Sequence, residues 1–271
     1  MSLMVIVIKI GDRAMENALS NEGLDNLSSL SRERQTVLVH GGGDTLTRIA
    51  EKLGVPQKFI TSPEGFRSRY TDAETMEIFT MVMAGKINKE IVQRLQSRKI
   101  QAVGVCGLDG ELIRAERKKR LIAVDERGRR KVVDGGYTGS ITNIDPRLLR
   151  TLIDAKYVPV IAPIALGSEN ETLNLDGDRT AANIAGALQA EVLLLITDVE
   201  AVSLPSGPIR KMSADEAKQN LTSFGPGMIT KVHAALDALS HGVGKVMIAP
   251  GYGKSPYTAA IKEETGTVIG Q

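Results

Sequence analysis

The chain of 271 residues, 42% hydrophobic and 24% charged, is long enough to bury a large core in one α/β domain or in two smaller lobes. Its net charge of +2 gives no signal for nucleic-acid binding, and no apolar run approaches the length of a membrane span. The single cysteine, Cys106, excludes an internal disulfide and a cysteine-based metal cluster, and the chain starts without a secretory signal, so we expect a cytoplasmic protein.

Short apolar runs that are typical of buried strands recur along the chain, with helical patterns between them. The runs are residues 5–10, 36–40, 102–106, 158–164, 191–196 and 246–249. This alternation predicts an α/β fold with a mainly parallel central sheet covered by helices on both faces, that is, a three-layer αβα sandwich. In such sheets ligands bind beyond the carboxyl ends of the strands.

A turn of three consecutive glycines, Gly41, Gly42 and Gly43, follows the second of these runs. Glycine lets backbone N–H groups face a ligand, because no Cβ holds the ligand away. Residues 45–52 predict a helix just beyond the turn, and a helix N-terminus attracts anions. The turn is therefore a candidate anion-binding pocket, with an ordinary strand-to-helix turn as the alternative.

Residues 72–98 carry apolar side chains at spacings of three and four, which predicts one long amphipathic helix, bent near Gly85. We expect its apolar face to form core or a dimer contact rather than a cofactor site. Polar residues 167–171 predict a loop between two lobes, residues 1–170 and 171–271, within one continuous fold. Residues 203–211, rich in proline and glycine, predict a second loop.

Residues 112–124 and 129–133 predict two strands joined by a polar turn at residues 125–128, which together form a projecting β-hairpin. Basic side chains are concentrated in it: Arg114, Arg117, Lys118, Lys119, Arg120, Arg127, Arg129, Arg130 and Lys131. Such a surface is either simply solvated or a docking surface for an acidic partner, and charge alone does not distinguish the two.

Two lysines lie where phosphate-binding groups are expected. Lys9 interrupts the apolar end of the first strand, where it either reaches solvent or meets a negative group beside the glycine turn. Lys231 follows a glycine-rich segment at the start of the helix predicted for residues 228–239, which makes it a second cation at a turn suited to phosphate.

Three polar side chains, Asn174, Asp176 and Asp178, alternate just before a predicted helix. They offer few carboxylates for a metal and lack the EF-hand spacing. Asp178 therefore either takes part in chemistry or caps the helix.

Several common motifs are not met. Gly253, Lys254 and Ser255 resemble the end of a phosphate-binding loop, but Ile248 stands where that loop needs its first glycine. No GxGxxG follows a strand, and no GxSxG is present. Only one histidine, His40, adjoins the glycine turn, and we expect it to stabilise the turn rather than act as a base.

Five motifs in order along the chain resemble those of the amino acid kinase family: KIG, VHGGG, NLDGD, LLLITDV and GMITK. The resemblance covers essentially the whole chain and is closest to the N-acetylglutamate kinase branch. Two further motifs, GFRSRYTDAET and DGGYTGSI, resemble the kinases that act on an amino acid held on an acidic LysW-type carrier protein. Those kinases serve lysine biosynthesis through 2-aminoadipate, and in some cases arginine biosynthesis through glutamate.

The resemblance implies roles for individual residues. The positions that match the family's catalytic lysines, and the aspartate that holds them, are Lys9, Lys231 and Asp178. The positions that match its substrate-binding groups are Gly42, Gly43, Arg69 and Asn174. The positions that match its ATP side are Gly11, Thr197, Asp198, Gly227 and Met228.

The resemblance also implies ATP and Mg²⁺, with the metal carried by ATP rather than by protein ligands, an acidic carrier partner, and a homodimer. The N-terminal lobe would bind the carboxylate substrate and supply the dimer contact, and the C-terminal lobe would bind ATP. One position departs from the family: Asp12 stands where a second glycine is usual, and a carboxylate there either points away from the γ-phosphate or weakens its binding.

Three alternatives stay open. One is an N-acetylglutamate kinase of arginine biosynthesis that ignores the carrier. Another is a catalytically weak amino-acid-binding regulatory protein on the same fold, for which Asp12 is the only support in the sequence. The third is a kinase of the same fold for a phosphorylated substrate, which the carboxylate-clamp motif disfavours.

Overall fold

The computed structural model describes residues 4–124, 128–205 and 207–270. Its strands are β1 (Val5–Ile10), β2 (Gln35–His40), β3 (Lys58–Thr61), β4 (Arg67–Tyr70), β5 (Ala102–Cys106), β6 (Ile113–Arg117), β7 (Arg120–Val124), β8 (Arg130–Asp134), β9 (Gly139–Ile144), β10 (Val158–Ala162), β11 (Ile164–Gly167), β12 (Thr172–Asn174), β13 (Val192–Thr197), β14 (Val202–Leu204), β15 (Gly207–Ile209), β16 (Lys211–Ser213), β17 (Lys245–Pro250) and β18 (Thr267–Gly270). Its α-helices are α1 (Met15–Ala18), α2 (Asn21–Glu33), α3 (Gly43–Lys52), α4 (Ala73–Thr80), α5 (Asn88–Gln96), α6 (Arg147–Asp154), α7 (Gly177–Leu188), α8 (Ala214–Gln219), α9 (Met228–Ser240) and α10 (Pro256–Ile261).

Eight strands form the central sheet, in the spatial order β16-β18-β17-β13-β1-β2-β10-β5. Neighbouring strands run parallel except β17 and β18. The apolar β1 lies in the middle, between β13 and β2, where both of its faces are covered. The predicted mainly parallel sheet is confirmed.

Helices cover the sheet on both faces. Successive residues of a strand point to opposite sides, so Ile6 and Ile8 join one apolar core whereas Val7 joins the other. The first core lies under α2, α4, α5 and α10, and the second lies under α6, α7 and α9. The predicted three-layer αβα arrangement is confirmed. Within the described ranges, no helix combines the length and the apolar character needed to cross a bilayer.

The basic hairpin differs from its prediction. Residues 112–124 do not form one strand, because the chain breaks at Lys118 and Lys119 into β6 and β7. Strand β6 joins a second sheet of order β12-β11-β6-β9, and β7 pairs with β8 in a hairpin of two strands. The break is fixed by bonds to other segments: the Lys118 N–H donates to the Thr138 carbonyl at 2.8 Å, and the Gly135 N–H donates to the Lys119 carbonyl at 3.2 Å. The predicted turn at residues 125–128 falls, except for Gly128, outside the described residues.

The secondary structure of two other segments, residues 158–164 and 203–211, differs from the prediction. Residues 158–164 form β10 and the start of β11, which belong to different sheets because Pro163, between them, has no N–H to continue the ladder. The loop predicted for residues 203–211 is wrong: most of it belongs to the small antiparallel pair β14–β15, with Val202 opposite Ile209. Gly207 and Pro208 lie in β15, so part of the proline and glycine signal belongs to a paired strand rather than to an irregular loop.

The long helix predicted for residues 72–98 is present as α4, a π-helical segment Met81–Ile87 and α5 in direct succession. It begins at Asp72, whose side chain accepts a hydrogen bond from the Thr75 N–H at 2.9 Å. The π-helical segment contains Gly85, where the sequence predicts a bend. Its buried face packs into the first core, and Met81 stays exposed.

Candidate active site

Three charged side chains meet at the carboxyl end of β1. Lys9 lies next to the last residue of β1, Asp178 lies in the first turn of α7, and Lys231 lies near the start of α9. The Oδ1 atom of Asp178 lies 2.8 Å from Lys9 Nζ, and its Oδ2 atom accepts a hydrogen bond from Lys231 Nζ at 3.0 Å. One carboxylate therefore holds two ammonium groups that come from distant parts of the chain.

Burial sets the electrostatics of this charged centre, which consists of Lys9, Asp178 and Lys231. Burial alone would raise the pKa of Asp178, but the charges of Lys9 and Lys231 outweigh it and hold that pKa well below its usual range. Burial lowers the pKa of Lys9 against the opposing pull of Asp178. For Lys231, burial acts in the same direction, but the carboxylate prevails and raises the pKa. Asp178 shares its single negative charge between two ammonium groups, and the charge of Asp176 also acts on both of them. Two buried ammonium groups side by side suit an anionic ligand.

The cap of α7 is Asp176, whose Oδ1 accepts a hydrogen bond from the Arg179 N–H at 2.9 Å. The sequence left open whether Asp178 caps this helix, and the structure gives that role to Asp176. Burial, and then the charge of Asp178, raise the pKa of Asp176. Among the described residues, no group of three or more His, Cys, Asp or Glu side chains is arranged to hold a metal ion.

The glycine turn lies beside this centre, since β1 and β2 are adjacent and Ile10 pairs with His40. Gly43 is the first residue of α3. In the described part of the chain, the N–H groups of Gly42 and Gly43 make no hydrogen bond. Two backbone donors at a helix start are thus left for an anion.

Asp12 occupies the next donors of the same helix. Its Oδ2 accepts hydrogen bonds from the N–H groups of Asp44, at 2.7 Å, and Thr45, at 2.9 Å. Asp12 therefore caps α3 from the neighbouring turn, at the residue that follows Gly43. The structure shows what the carboxylate binds, and its effect on phosphate binding stays a prediction.

Arg69 and Asn174 flank the glycine turn and the charged centre. Arg69 is 8% exposed, and its Nη2 donates to the Gly43 carbonyl at 2.8 Å and to Thr47 Oγ1 at 2.9 Å. Its guanidinium therefore reaches the glycine turn from β4. Asn174 ends β12, two residues before the cap of α7, and its Nδ2 donates to Thr71 Oγ1 at 2.9 Å.

His40 is a structural group and not a base. Its Nδ1 lies 2.8 Å from the Gly41 carbonyl, and its Nε2 lies 3.4 Å from the Nδ2 of the buried Asn88. Burial lowers the pKa of His40 to about 4, so the imidazole is neutral at pH 7 and holds the turn. Asn88, which also donates to the Val160 carbonyl at 2.9 Å, was not predicted from sequence. Its signal was a polar residue on the apolar face of the long helix.

The residues matched to a nucleotide lie at the carboxyl ends of neighbouring strands and at the start of α9. Gly11 follows β1, and its N–H donates to the Ile196 carbonyl at 3.0 Å. Thr197 ends β13, and its hydroxyl donates to Asp198 at 3.1 Å. Gly227, which precedes Met228 at the start of α9, has a φ of 84°, a conformation that favours glycine.

The chain is similar to known proteins over nearly its full length. A sequence profile of the amino acid kinase family matches residues 4–250. The chain is 48% identical over 266 residues to a putative [LysW]-aminoadipate/[LysW]-glutamate kinase of Cenarchaeum symbiosum, with 98% of this chain and 99% of that protein covered. It is 45% identical over 249 residues to the [LysW]-aminoadipate/[LysW]-glutamate kinase of Metallosphaera sedula, with 91% and 93% covered.

Solved structures share the fold at lower identity. The smu.665 protein of Streptococcus mutans superposes with a TM-score of 0.80 at 24% identity, with 98% of each chain covered. Carbamate kinase of Giardia lamblia bound to AMP-PNP superposes with a TM-score of 0.67 at 16% identity, again with 98% of each chain covered. Fold, motif order and sequence similarity agree, and the chain belongs to the amino acid kinase family.

Proposed function

We propose that the protein transfers the γ-phosphoryl group of ATP to the side-chain carboxylate of 2-aminoadipate held on a LysW-type carrier protein. Glutamate on the same carrier is a second substrate under this proposal, which gives the enzyme a main role in lysine biosynthesis and a further one in arginine biosynthesis. The names of its relatives support this substrate class. The observation that carries the proposal is the buried pair of lysines on Asp178, next to the N–H groups of Gly42 and Gly43, which have no hydrogen-bond partner in the described part of the chain.

The reaction needs no general base. A carboxylate with a pKa near 4 is already ionised at neutral pH, so its oxygen attacks the γ-phosphorus directly. The new bond joins that oxygen to phosphorus, the bond to the bridging oxygen of ADP breaks, and the products are an acyl phosphate and ADP. This chemistry agrees with a site whose neighbouring histidine, His40, is neutral and engaged in the fold.

The task that remains is to bring two anions together. Lys9 and Lys231 neutralise charge on the transferring group, and Asp178 holds both ammonium groups in place. Gly42 and Gly43 donate their N–H groups to the carboxylate and the phosphoryl oxygens. These groups are fixed before the substrates bind, so little reorganisation is needed during the transfer.

Arg69 and Asn174 orient the amino acid. Arg69 is held at the glycine turn by Gly43 and Thr47, and its charge binds the carboxylate that does not react. Asn174, whose Nδ2 donates to Thr71 Oγ1 two residues along the chain from Arg69, binds the substrate beside it. Under this proposal the N-terminal lobe, residues 1–170, binds the amino acid, and residues 171–271 bind ATP.

The nucleotide is proposed to lie along Gly11, Thr197, Asp198, Gly227 and Met228. Mg²⁺, carried by the phosphates of ATP, neutralises charge on the β- and γ-phosphates. Asp198 follows Thr197, whose hydroxyl donates to it at 3.1 Å. The other groups of the site hold the phosphates through N–H donors and ammonium groups.

The hairpin β7–β8 is proposed to bind the acidic carrier. One of its faces carries an exposed apolar pair, Ile122 opposite Val132, which are 51% and 68% exposed. Arg120 and Arg130 lie on the same face at the two ends of this pair, and Asp134 lies opposite Arg120. An apolar centre with cations beside it suits an acidic protein surface, where charge speeds association and apolar contact adds affinity.

Two further parts of the proposal concern assembly and location. We expect a homodimer that forms through the long helix of residues 72–98, on which Met81 is exposed. Light scattering on the purified protein tests the dimer, and a monomer at micromolar concentration would contradict it.

The proposed location is the cytoplasm. An ATP-dependent biosynthetic enzyme with one free cysteine agrees with such a reducing compartment.

The proposal is tested by acyl phosphate formation, trapped with hydroxylamine, with each of three substrates. The substrates are carrier-linked aminoadipate, carrier-linked glutamate and free N-acetylglutamate. The proposal predicts ATP-dependent hydroxamate with the carrier-linked substrates and none with N-acetylglutamate. Turnover of N-acetylglutamate alone would place the enzyme in arginine biosynthesis, and no turnover of any of the three would favour a binding protein.

A further inference from the structure

The environment of Lys118 differs from that of the other basic residues of the hairpin. It lies at the break between β6 and β7 and is half-buried, whereas the next residue, Lys119, is exposed and forms an ion pair with Glu169 at 3.0 Å. Among the described residues, the Lys118 ammonium makes no hydrogen bond or ion pair. Burying part of an ammonium group costs free energy when no anion pairs with it, and a ligand that brings an anion would offset that cost.

The backbone fixes Lys118 close to the site. Its N–H donates to the Thr138 carbonyl at 2.8 Å, and Thr138 pairs with Asn174 in a β-bridge. Gly135 lies so close that a Cβ there would overlap the Lys118 carbonyl oxygen. Thr138 therefore lies between Lys118 and Asn174 and contacts both. These backbone contacts do not depend on the Lys118 side chain.

The charged groups that face Lys118 lie at the start of α7. Burial, and then the charge of Arg179, lower the pKa of Lys118, and Asp176 opposes them. Arg179 is already paired with Asp237 at 3.1 Å, and Asp176 is bound as the cap of α7. Arg179 is a cation that repels the ammonium of Lys118, and Asp176 does not contact it, so an anion that reaches Lys118 would interact with it strongly.

We propose that Lys118 binds a carboxylate of the carrier chain beside the linked amino acid, as the carrier passes from the hairpin β7–β8 into the site. This inference rests on the proposed function. The position supports it: Lys118 lies between the hairpin, which begins at Arg120, and Asn174 beside the charged centre. The carboxylate of the amino acid itself is left to Arg69, which lies at the glycine turn.

Lys118 is thus a binding residue, and Lys119 is a surface charge. The two adjacent lysines offer a matched pair of variants, Lys118→Met and Lys119→Met, which change the net charge of the protein equally. We expect Lys118→Met to raise the KM for carrier-linked aminoadipate about tenfold, as for a lost charge-assisted hydrogen bond, with the KM for ATP unchanged. Lys119→Met should change that KM by less than about twofold, because exposed ion pairs contribute little.

A third variant, Lys118→Arg, keeps the positive charge, so its KM for carrier-linked aminoadipate should be close to that of the wild type. Equal effects of Lys118→Met and Lys119→Met would overturn the inference, since they would reduce both lysines to long-range attraction. A raised KM for ATP in Lys118→Met would also overturn it, in favour of a nucleotide contact. The wild-type enzyme distinguishes a failure of the proposed function from a failure of the inference about Lys118. If the wild type does not use carrier-linked substrates, the proposed function is wrong, and the inference that rests on it is wrong as well.

Discussion

The charged centre and the hairpin β7–β8 are both rich in cations but use charge in opposite ways. In the centre, Lys9 and Lys231 are fixed on one buried carboxylate at 2.8 and 3.0 Å. On the hairpin, Arg120 and Arg130 are exposed beside an apolar pair. A buried charge interacts strongly at short range, whereas an exposed one is screened by salt within about 10 Å at 0.1 M ionic strength.

This difference indicates a division of labour. Under the proposed function, the centre stabilises a transition state, because its groups are held rigidly before the substrates arrive. The hairpin is proposed to attract a partner, because its field reaches into solvent and its geometry is open. Changes in the centre should therefore alter kcat, and changes on the hairpin should alter the rate of association and its salt dependence.

The largest effect is expected for Lys231→Ala. Loss of one ammonium group that neutralises the transferring phosphoryl should cost about 3 kcal/mol of barrier, comparable to the loss of one preorganised oxyanion donor, or about a hundredfold in kcat. Steady-state kinetics with carrier-linked aminoadipate measures it. Activity within twofold of wild type would remove Lys231 from the catalytic machinery.

A pH-dependent effect of similar size is expected from His40. The unfolded chain takes up the imidazole proton below pH 6.5, whereas the folded protein does so only near its pKa of about 4. Between these values the unfolded state binds more protons, so the folded state loses about 3 kcal/mol as the pH falls from 6.5 to 4.

Urea unfolding of wild type and His40→Gln across this pH range measures the loss. The difference between the two proteins isolates His40 from the carboxylates that also titrate. We expect His40→Gln to be less stable at pH 7 but to lose less stability on acidification. Parallel pH profiles would contradict the buried neutral histidine.

A smaller effect is expected for the hairpin. The double variant Arg120→Glu/Arg130→Glu should lower kcat/KM for the carrier-linked substrate about tenfold at low salt, with kcat unchanged, because association slows when the attraction is reversed. The matched control is Arg32→Glu/Lys156→Glu, which changes the net charge equally at the opposite edge of the central sheet, where both residues are exposed. If kcat/KM falls equally in the two double variants, the hairpin affects the reaction only through the net charge of the protein.

The smallest effect is expected at Asp12. Asp12→Asn keeps an acceptor for the N–H groups of Asp44 and Thr45, so its kcat should stay within about twofold of wild type. Asp12→Ala loses the cap and should destabilise the protein by about 1 kcal/mol. Thermal unfolding and kinetics on both variants measure this. A large rise of kcat in Asp12→Ala would show that the carboxylate opposes phosphate binding.

The central sheet was predictable from sequence because buried parallel strands are continuous apolar runs. Residues 5–10 and 102–106 were placed at their observed bounds. The charged centre was less accessible: Lys9 stood out as a charge in an apolar strand, but the motif resemblance was needed to join it to Asp178 and Lys231. Their contact depends on tertiary packing across 169 and 53 residues of chain, which no local pattern encodes.

Other features were missed for physical reasons. The break at Lys118 and Lys119 follows from hydrogen bonds to residues 138 and 135, so β-propensity alone favours one continuous strand. The capping of α3 by Asp12 joins two turns that are distant in sequence, and standard capping rules look only at the residue just before a helix. In both cases a contact between distant segments decides a local structure.

The most direct test of the division between centre and hairpin is a salt titration of kcat and kcat/KM for carrier-linked aminoadipate. It compares the wild type, Lys231→Ala and Arg120→Glu/Arg130→Glu. We predict that the wild-type kcat/KM falls with salt toward that of the hairpin variant, while Lys231→Ala keeps the same fold deficit in kcat at every salt concentration. A salt-independent wild-type kcat/KM, or a Lys231→Ala deficit that disappears at high salt, would contradict the account.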